Sequence, residues 1–206
     1  MFLDHVLIAV TNLADAAENL ENQYGLASIE GGRHPGWGTM NRIVPLGDAY
    51  LELVAVVEED EAVRSVFGRW IRGAATDGGH LLGWAVRTDD LDHVSRRLGL
   101  TPRSGSRVGR DGKVLRWRIA GMEMAAVDPS LPFFIEWAPG ATLPGRSRWL
   151  GQASITELAI QTDTQQLATW LGDHSLPISV EAGRPAIIGL IVDGPRGRTV
   201  LGTHPG

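Results

Sequence analysis

One pattern returns three times along the chain. The stretches "HVLIAVTNLADAAENLENQYGL" (5–26), "GWAVRTDDLDHVSRRLGL" (83–100) and "ELAIQTDTQQLATWLGDHSL" (157–176) begin 78 and 74 residues apart. Each opens with a short β-type run, passes a polar turn, enters an amphipathic helix and stops on a glycine near a leucine. Asn12 and Asp90 are suited to cap the first two helices, and Gly25, Gly99 and Gly172 to end all three. Such self-similarity means that one supersecondary unit is used again and again.

β-type segments follow each helix. "TMNRIVPL" runs through "GD" into "AYLELVAVV", a hairpin signal, and "KVLRWRIAG" leads through "DPSL" to "PFFIEWAP". In the third copy "AIIGLIVDGPRGRTVLG" suggests two strands around a turn. The unit therefore reads βαβββ. The expected fold is α+β: repeated βαβββ modules form a curved, mostly antiparallel sheet cup with helices on its outer face, plus a partial third module. The expected boundaries are 1–58 for the first module, 59–79 for a helix and linker, 80–140 for the second module and 141–206 for a linker and the partial third.

Bulk properties exclude several classes. A net charge of −5 argues against nucleic acid or an anionic membrane as partner. With no cysteine there is no disulfide framework, thiolate nucleophile or cysteine metal site. No apolar run approaches the ~18 residues of a spanning helix, and "MFLDHVLIAV" lacks the basic leader of a signal peptide. A cytoplasmic protein with no membrane partner is expected.

The strands "AYLELVAVV" and "LPFFIEWAP" each carry one glutamate, Glu52 and Glu136. A buried carboxylate is costly unless it is paired or binds a metal. Side chains alternate across a strand. Leu51 and Leu53 share a face, as do Phe133, Ile135 and Trp137, and as do Val6, Ile8 and Val10. These apolar stripes suit packing on helices. The opposite, mixed faces carry His5, Glu52 and Glu136, and a curling sheet would bring these together in a cup. Imidazole and carboxylates are ligands for a divalent metal such as zinc, nickel, manganese or ferrous iron. A wet sheet face, or a cup without metal, would also accommodate them.

These residues resemble the vicinal oxygen chelate superfamily of glyoxalase I, extradiol dioxygenases and bleomycin-resistance proteins. "LDHVLIAVTNLADAA" is similar to its opening strand and helix, "YLELVAV" and "FFIEW" to its closing strands, and "GGRHPGWGTMNRIVPLGDAYLELVAV" to its glyoxalase-like domain branch. The resemblance covers roughly residues 1–140, with the third repeat fitting a partial module. It implies metal ligands at His5, Glu52 and Glu136. A second histidine is expected in the first strand of module two, but Gly83 aligns there, and Glu157 in copy three. His80 lies three residues early and reaches the site only if a bulge reverses its face.

Further candidates surround this set. The loop "GRHPGWGTMN" could fold over the cup, with His34 as an acid/base or ligand, Trp37 as an apolar lid, and Thr39 and Asn41 beside them. Tyr50 and Phe134 share faces with the glutamates, and Arg116 and Arg118 could hold a substrate carboxylate or enolate if their strand face lines the cup. Glu136 and His34 are the expected catalytic groups. His93, His174 and His204 read as surface or tail residues. Two functions compete: a divalent-metal-dependent isomerase or lyase acting on a small oxygenated molecule, and a metal-free protein that binds and sequesters a small molecule. An unpaired edge in the third module makes a homodimer the expected assembly.

Overall fold

The computed structural model describes residues 1–109, 111–146 and 153–202; His204 lies outside them. The first repeat folds as β1 (Phe2–Ala9), α1 (Leu13–Tyr24), β2 (Ile29–His34), β3 (Thr39–Leu46) and β4 (Ala49–Val56). Two helices follow, α2 (Glu59–Ala62) and α3 (Val66–Ala74). The second repeat is β5 (His80–Arg87), α4 (Leu91–Leu98), β6 (Arg103–Val108), β7 (Val114–Ala120), α5 (Met122–Ala125) and β8 (Phe133–Trp137). The last stretch is β9 (Ser154–Thr162), α6 (Thr164–Leu171), β10 (Ile178–Ala182), β11 (Ala186–Gly194) and β12 (Gly197–Leu201).

Local signals set the helix limits. Asn12 accepts from the backbone N–H groups of Ala14 and Asp15, Asp90 from that of His93, and Asp163 from those of Gln165 and Gln166. Gly25 and Gly99 end α1 and α4 at φ of 70° and 67°, the left-handed conformation that glycine adopts without a Cβ penalty.

The expected cup closes completely. The two repeats form one eight-stranded barrel in the order β1-β4-β3-β2-β6-β7-β8-β5. Within each repeat the first strand pairs in parallel with the last, β1 with β4 and β5 with β8. The repeats join antiparallel, β1 to β5 and β2 to β6. The third stretch repeats the βαβββ order but not its pairing. It makes a separate sheet, β10-β9-β11-β12, in which β9 runs parallel to the strand directly after its helix.

Two apolar clusters follow from strand alternation. Val6, Ile8, Val10, Leu51, Leu53, Trp84 and Phe134 pack outward with α1, α4, α6 and the second sheet's Leu158, Ile160, Leu190 and Val192. Leu7, Ala9, Val54, Ala85, Trp117, Ile119, Phe133 and Ile135 point into the barrel. Phe67 and Ile71 of α3 join this inner cluster, so the segment between the repeats supplies part of the barrel's filling. Trp84 is wholly buried and its indole N–H donates to the Ser130 carbonyl at 3.1 Å. Trp84→Ala is expected to lower stability by about 3–5 kcal/mol in a urea titration monitored by circular dichroism; a loss below about 1 kcal/mol would mean that the sheet–helix layer is not the main core.

Candidate functional site

Glu52 sits at the centre of the barrel's interior. It points inward from β4, where it pairs across the ladder with Ile43 of β3 and with Leu7 of β1. The side chain is almost fully buried, and three neighbours address it. Asn41 of β3 donates its amide N–H to Oε1 at 2.6 Å. His5 Nε2 lies 3.3 Å from Oε2, and His34 Nε2 lies 3.7 Å from Oε1. The carboxylate thus stands between two imidazoles, each on a different oxygen.

Each imidazole is held from behind. His5 Nδ1 lies 2.8 Å from Asp4 Oδ1, and the Tyr50 ring stacks on it at 4.8 Å. His34 Nδ1 lies 2.9 Å from the Thr39 hydroxyl. Asp4 is itself buried, accepts from the Trp137 indole N–H at 2.9 Å and sits 3.5 Å from the Arg87 guanidinium. Strict alternation would put neighbouring Asp4 and His5 on opposite faces. A register shift between Leu3 and His5 against β5 breaks the alternation there, and both side chains turn into the network.

Close approach at β2 makes room for Asn41. A Cβ at Gly31 would fall 1.8 Å from Asn41 Oδ1, so any larger residue would drive the amide off Glu52. That Oδ1 is buried and has no hydrogen-bond partner among the described residues.

Burial sets the charge state of His34. Its pKa is pushed down from 6.5 to about 4, first by desolvation and then by the Arg107 charge and the nearby His5, with Glu52 partly opposing. His34 is therefore a neutral imidazole at pH 7. The Tyr50 hydroxyl is raised well above 10 by burial and by the charges of Asp4 and Glu52, so it remains protonated.

A cavity of about 30 Å³ opens beside this network. Its remaining walls are Trp37, Phe67, Arg107, Trp117, Ile119, Met122, Phe133, Ile135 and Trp137. His5, His34, Trp37, Asn41, Tyr50 and Glu52 thus meet at one place, with Thr39 directly behind His34.

Other expected residues lie elsewhere. Glu136 is on the outer face of β8, where Oε1 accepts from the Leu91 backbone N–H at α4 (3.1 Å) and Oε2 from Arg118 (3.1 Å). The face shared by Phe133, Ile135 and Trp137 points inward instead, the reverse of the helix-facing role expected for it. Phe134 packs outward with Trp170. Arg118 pairs with Asp92 and Glu136 outside the barrel, and Arg116 lines the same outer groove. His80 pairs with Ala9 and faces a different hollow, with Ile8, Val10 and Leu201. At Gly83, where a second histidine was expected, a Cβ would meet the Trp70 ring of α3 at 2.4 Å. That position is occupied by an indole.

A metal held by His5, Glu52 and Glu136 does not fit this arrangement. Glu136 is on the far side of the sheet, the two imidazoles address different oxygens of Glu52, and Asn41 directs an N–H donor at the same carboxylate. Among the described residues no three His, Cys, Asp or Glu side chains converge to hold a metal ion.

Asp4, Arg107 and α3's Phe67 were missed in the sequence. Asp4 adjoins His5 but is hidden by the bulge. Arg107 lies in "RSGSRV", which has no apolar alternation to reveal an inner face.

Comparison with known proteins agrees with this architecture. The family model described as glyoxalase-like domain matches residues 3–175. No curated protein matches. Among solved structures, a hypothetical protein from Staphylococcus aureus superposes with a TM-score of 0.70 at 15% identity, covering 93% of this chain and 90% of that one. A methylmalonyl-CoA epimerase from Mycobacterium tuberculosis gives 0.47 at 22% identity, over 68% of this chain and 88% of that one. Among the described residues no helix is long and apolar enough to cross a membrane.

The depressed His34 pKa has a consequence for stability. The unfolded chain takes up a proton near 6.5, whereas the fold resists it until about 4. This contribution is complete above pH 6.5 and is lost as pH falls toward 4, by on the order of 3 kcal/mol. Urea titrations from pH 7.5 to 4.5 should show a shallower fall for His34→Gln than for the native chain. Equal slopes, or the His34 imidazole itself titrating near 6.5 by NMR, would refute the neutral assignment.

Proposed function

We propose that this chain, which belongs to the glyoxalase-like domain family of the vicinal oxygen chelate superfamily, is an isomerase or lyase that moves a proton on a small oxygenated molecule inside the barrel. The observation that carries the reading is the buried row Asp4–His5–Glu52–His34 along an otherwise ring-lined cavity. Ionisable groups buried together are expensive to keep. A perturbed titratable group in such a cleft is a mark of chemistry.

Glu52 is the base. Asn41 fixes the plane of its carboxylate from Oε1, leaving Oε2 beside His5. The carboxylate accepts a proton from a carbon next to a carbonyl. The C–H electron pair moves into the C–C bond, and the carbonyl electrons move to oxygen as an enolate. Neutral His34 can donate an N–H to that oxyanion, the role a non-protonated imidazole serves better than a charged one. Asp4 accepting from Nδ1–H of His5 would fix the tautomer in which Nε2 carries a lone pair toward Glu52. His5 can then take the proton from Glu52 and return it. Return of the proton to the opposite face of that carbon or to the neighbouring carbon makes an isomerase; expulsion of a leaving group from the neighbouring carbon makes a lyase. The apolar walls keep water away from the enolate. No step is routed through a metal, because the donor arrangement does not fit one.

A second reading is metal-free sequestration, favoured by the six aromatic side chains that line the cavity (Trp37, Tyr50, Phe67, Trp117, Phe133 and Trp137).

The test is hydrogen exchange. Small enolisable carbonyl compounds are incubated with the protein in D2O and their C–H signals followed by NMR. Loss of signal is expected with the native chain. Glu52→Gln, which keeps the shape and the Asn41 contact, should slow it by at least roughly a hundred-fold. Chelator treatment should leave the native rate unchanged. Exchange at an equal rate in the variant would remove Glu52 as base. Exchange lost on chelation and restored by zinc or nickel would replace this scheme with a metal-dependent one. A ligand bound tightly and recovered unexchanged would favour sequestration.

A further inference from the structure

We propose that Arg107 is an anion-binding residue of this cavity, and that the molecule taken up is a small organic carboxylate. The inference rests on the proton-transfer reading for its location, and names the chemical class of ligand.

The position of Arg107 is unusual. It projects from β6 and lines the cavity together with Glu52 and His34. It also lines an open groove of about 870 Å³ outside the barrel, and it is the residue common to both linings. Its guanidinium stands where the two halves meet. Among the described residues β2 and β6 share a single ladder pair at this junction, Arg33 with Val108, compared with the eight pairs that join β3 to β4. Arg107 is thus at the weakest seam of the barrel wall, with one side toward solvent and the other toward the reactive groups.

The guanidinium is also unengaged. Among the described residues it makes no hydrogen bond or ion pair, including with Glu52. The groove's other cations are already taken: Lys113 pairs with Asp111, and Arg146 with Asp48. Its charge reaches inward, since it lowers the pKa of both His34 and Tyr50. A counter-ion placed only to neutralise Glu52 would be expected to pair with it. A free, half-buried guanidinium beside apolar walls presents a planar fork of donors, the geometry that a carboxylate fills with two parallel hydrogen bonds.

The consequence for the ligand is specific. A carboxylate held by Arg107 in the seam would leave the rest of the molecule directed toward Glu52. A 2-oxo acid or a related oxyacid has the acidic carbon one or two bonds from that anchor. The guanidinium would then oppose the negative charge that develops when Glu52 removes the proton.

Binding is tested by calorimetry with pyruvate, benzoate and phenylpyruvate, each against its own amide. At least one carboxylate should bind the native chain, with its amide ten-fold weaker or worse. Arg107→Gln should weaken that carboxylate by roughly ten- to a hundred-fold, and Arg107→Lys should retain part of the affinity. Should the glutamine variant fail to fold, the lysine variant and the acid-to-amide ratio decide. Amides binding as well as acids, carboxylates binding the variants as tightly as the native chain, or no carboxylate bound at all would each overturn the proposal. The two readings fail separately. Arg107-dependent binding of acids without hydrogen exchange would uphold this inference and remove the proton-transfer function. Exchange confined to neutral carbonyl compounds would do the opposite.

Discussion

Everything in the barrel interior is arranged around one buried carboxylate. Removing an ionised carboxyl from water costs several kcal/mol unless hydrogen bonds and opposite charge replace the solvent. For Glu52 the hydrogen bond comes from the Asn41 amide, and two polar imidazoles stand beside its oxygens. Each has its own requirement. Asn41 reaches Oε1 only because Gly31 has no side chain. His34 is set by the Thr39 hydroxyl, and His5 by Asp4. Asp4 is fixed in turn by the Trp137 indole, from the opposite half of the barrel. Closure of the barrel and assembly of the network are therefore one event.

The two halves share a frame but not a chemistry. In the ladder between β1 and β5, His5 pairs with Ala85 and Leu7 with Gly83. Exchanging the halves swaps these pairs if His5 corresponds to Gly83 and Leu7 to Ala85. Leu7 lies beside Glu52 on β4, and Ala85 beside Phe133 on β8. The counterpart of Glu52 is therefore Phe133. Glu136 is three residues further on, an odd offset that places it on the outer face, where it joins Arg118 and the start of α4. The first half supplies the imidazoles and the carboxylate. The second supplies Trp117, Phe133, Ile135 and Trp137 as an apolar wall.

This division explains what could be read in the sequence. The repeat, the module order and the Asn12 and Asp90 caps were legible, because they depend on local periodicity and local hydrogen bonds. The residues that share each face of β1 and β4 were legible for the same reason. Alternation, however, only says which residues share a face; it does not say which face turns inward. On β8 both faces carry large apolar residues, and the glutamate suggested the wrong one. The bulge at Asp4 is a pairing event with β5 and has no signature within "LDHV". Trp70 at Gly83 and Phe67 in the inner cluster depend on how α3 packs, a long-range contact invisible in a segment that reads as a linker. Arg107 was hidden because β6 is polar on both faces.

The size of the cavity completes the picture. About 30 Å³ of it is reached by the centre of a water molecule, and roughly 10–15 Å³ of such space suffices for one water. A larger ligand is accommodated more easily if the wall gives way. Opening a sheet breaks ladder hydrogen bonds and uncovers apolar side chains, so it is easiest where both are fewest. Among the described residues the junction of β2 and β6 has one paired position, and Gly31, Gly32 and Gly109 beside it carry no side chain to repack. Glu52 and Asn41 sit away from it on β4 and β3, which share eight ladder pairs. A wall that yields at this seam can admit a ligand while Glu52 and Asn41 keep their places, and it puts His34, at the end of β2, at the point of entry.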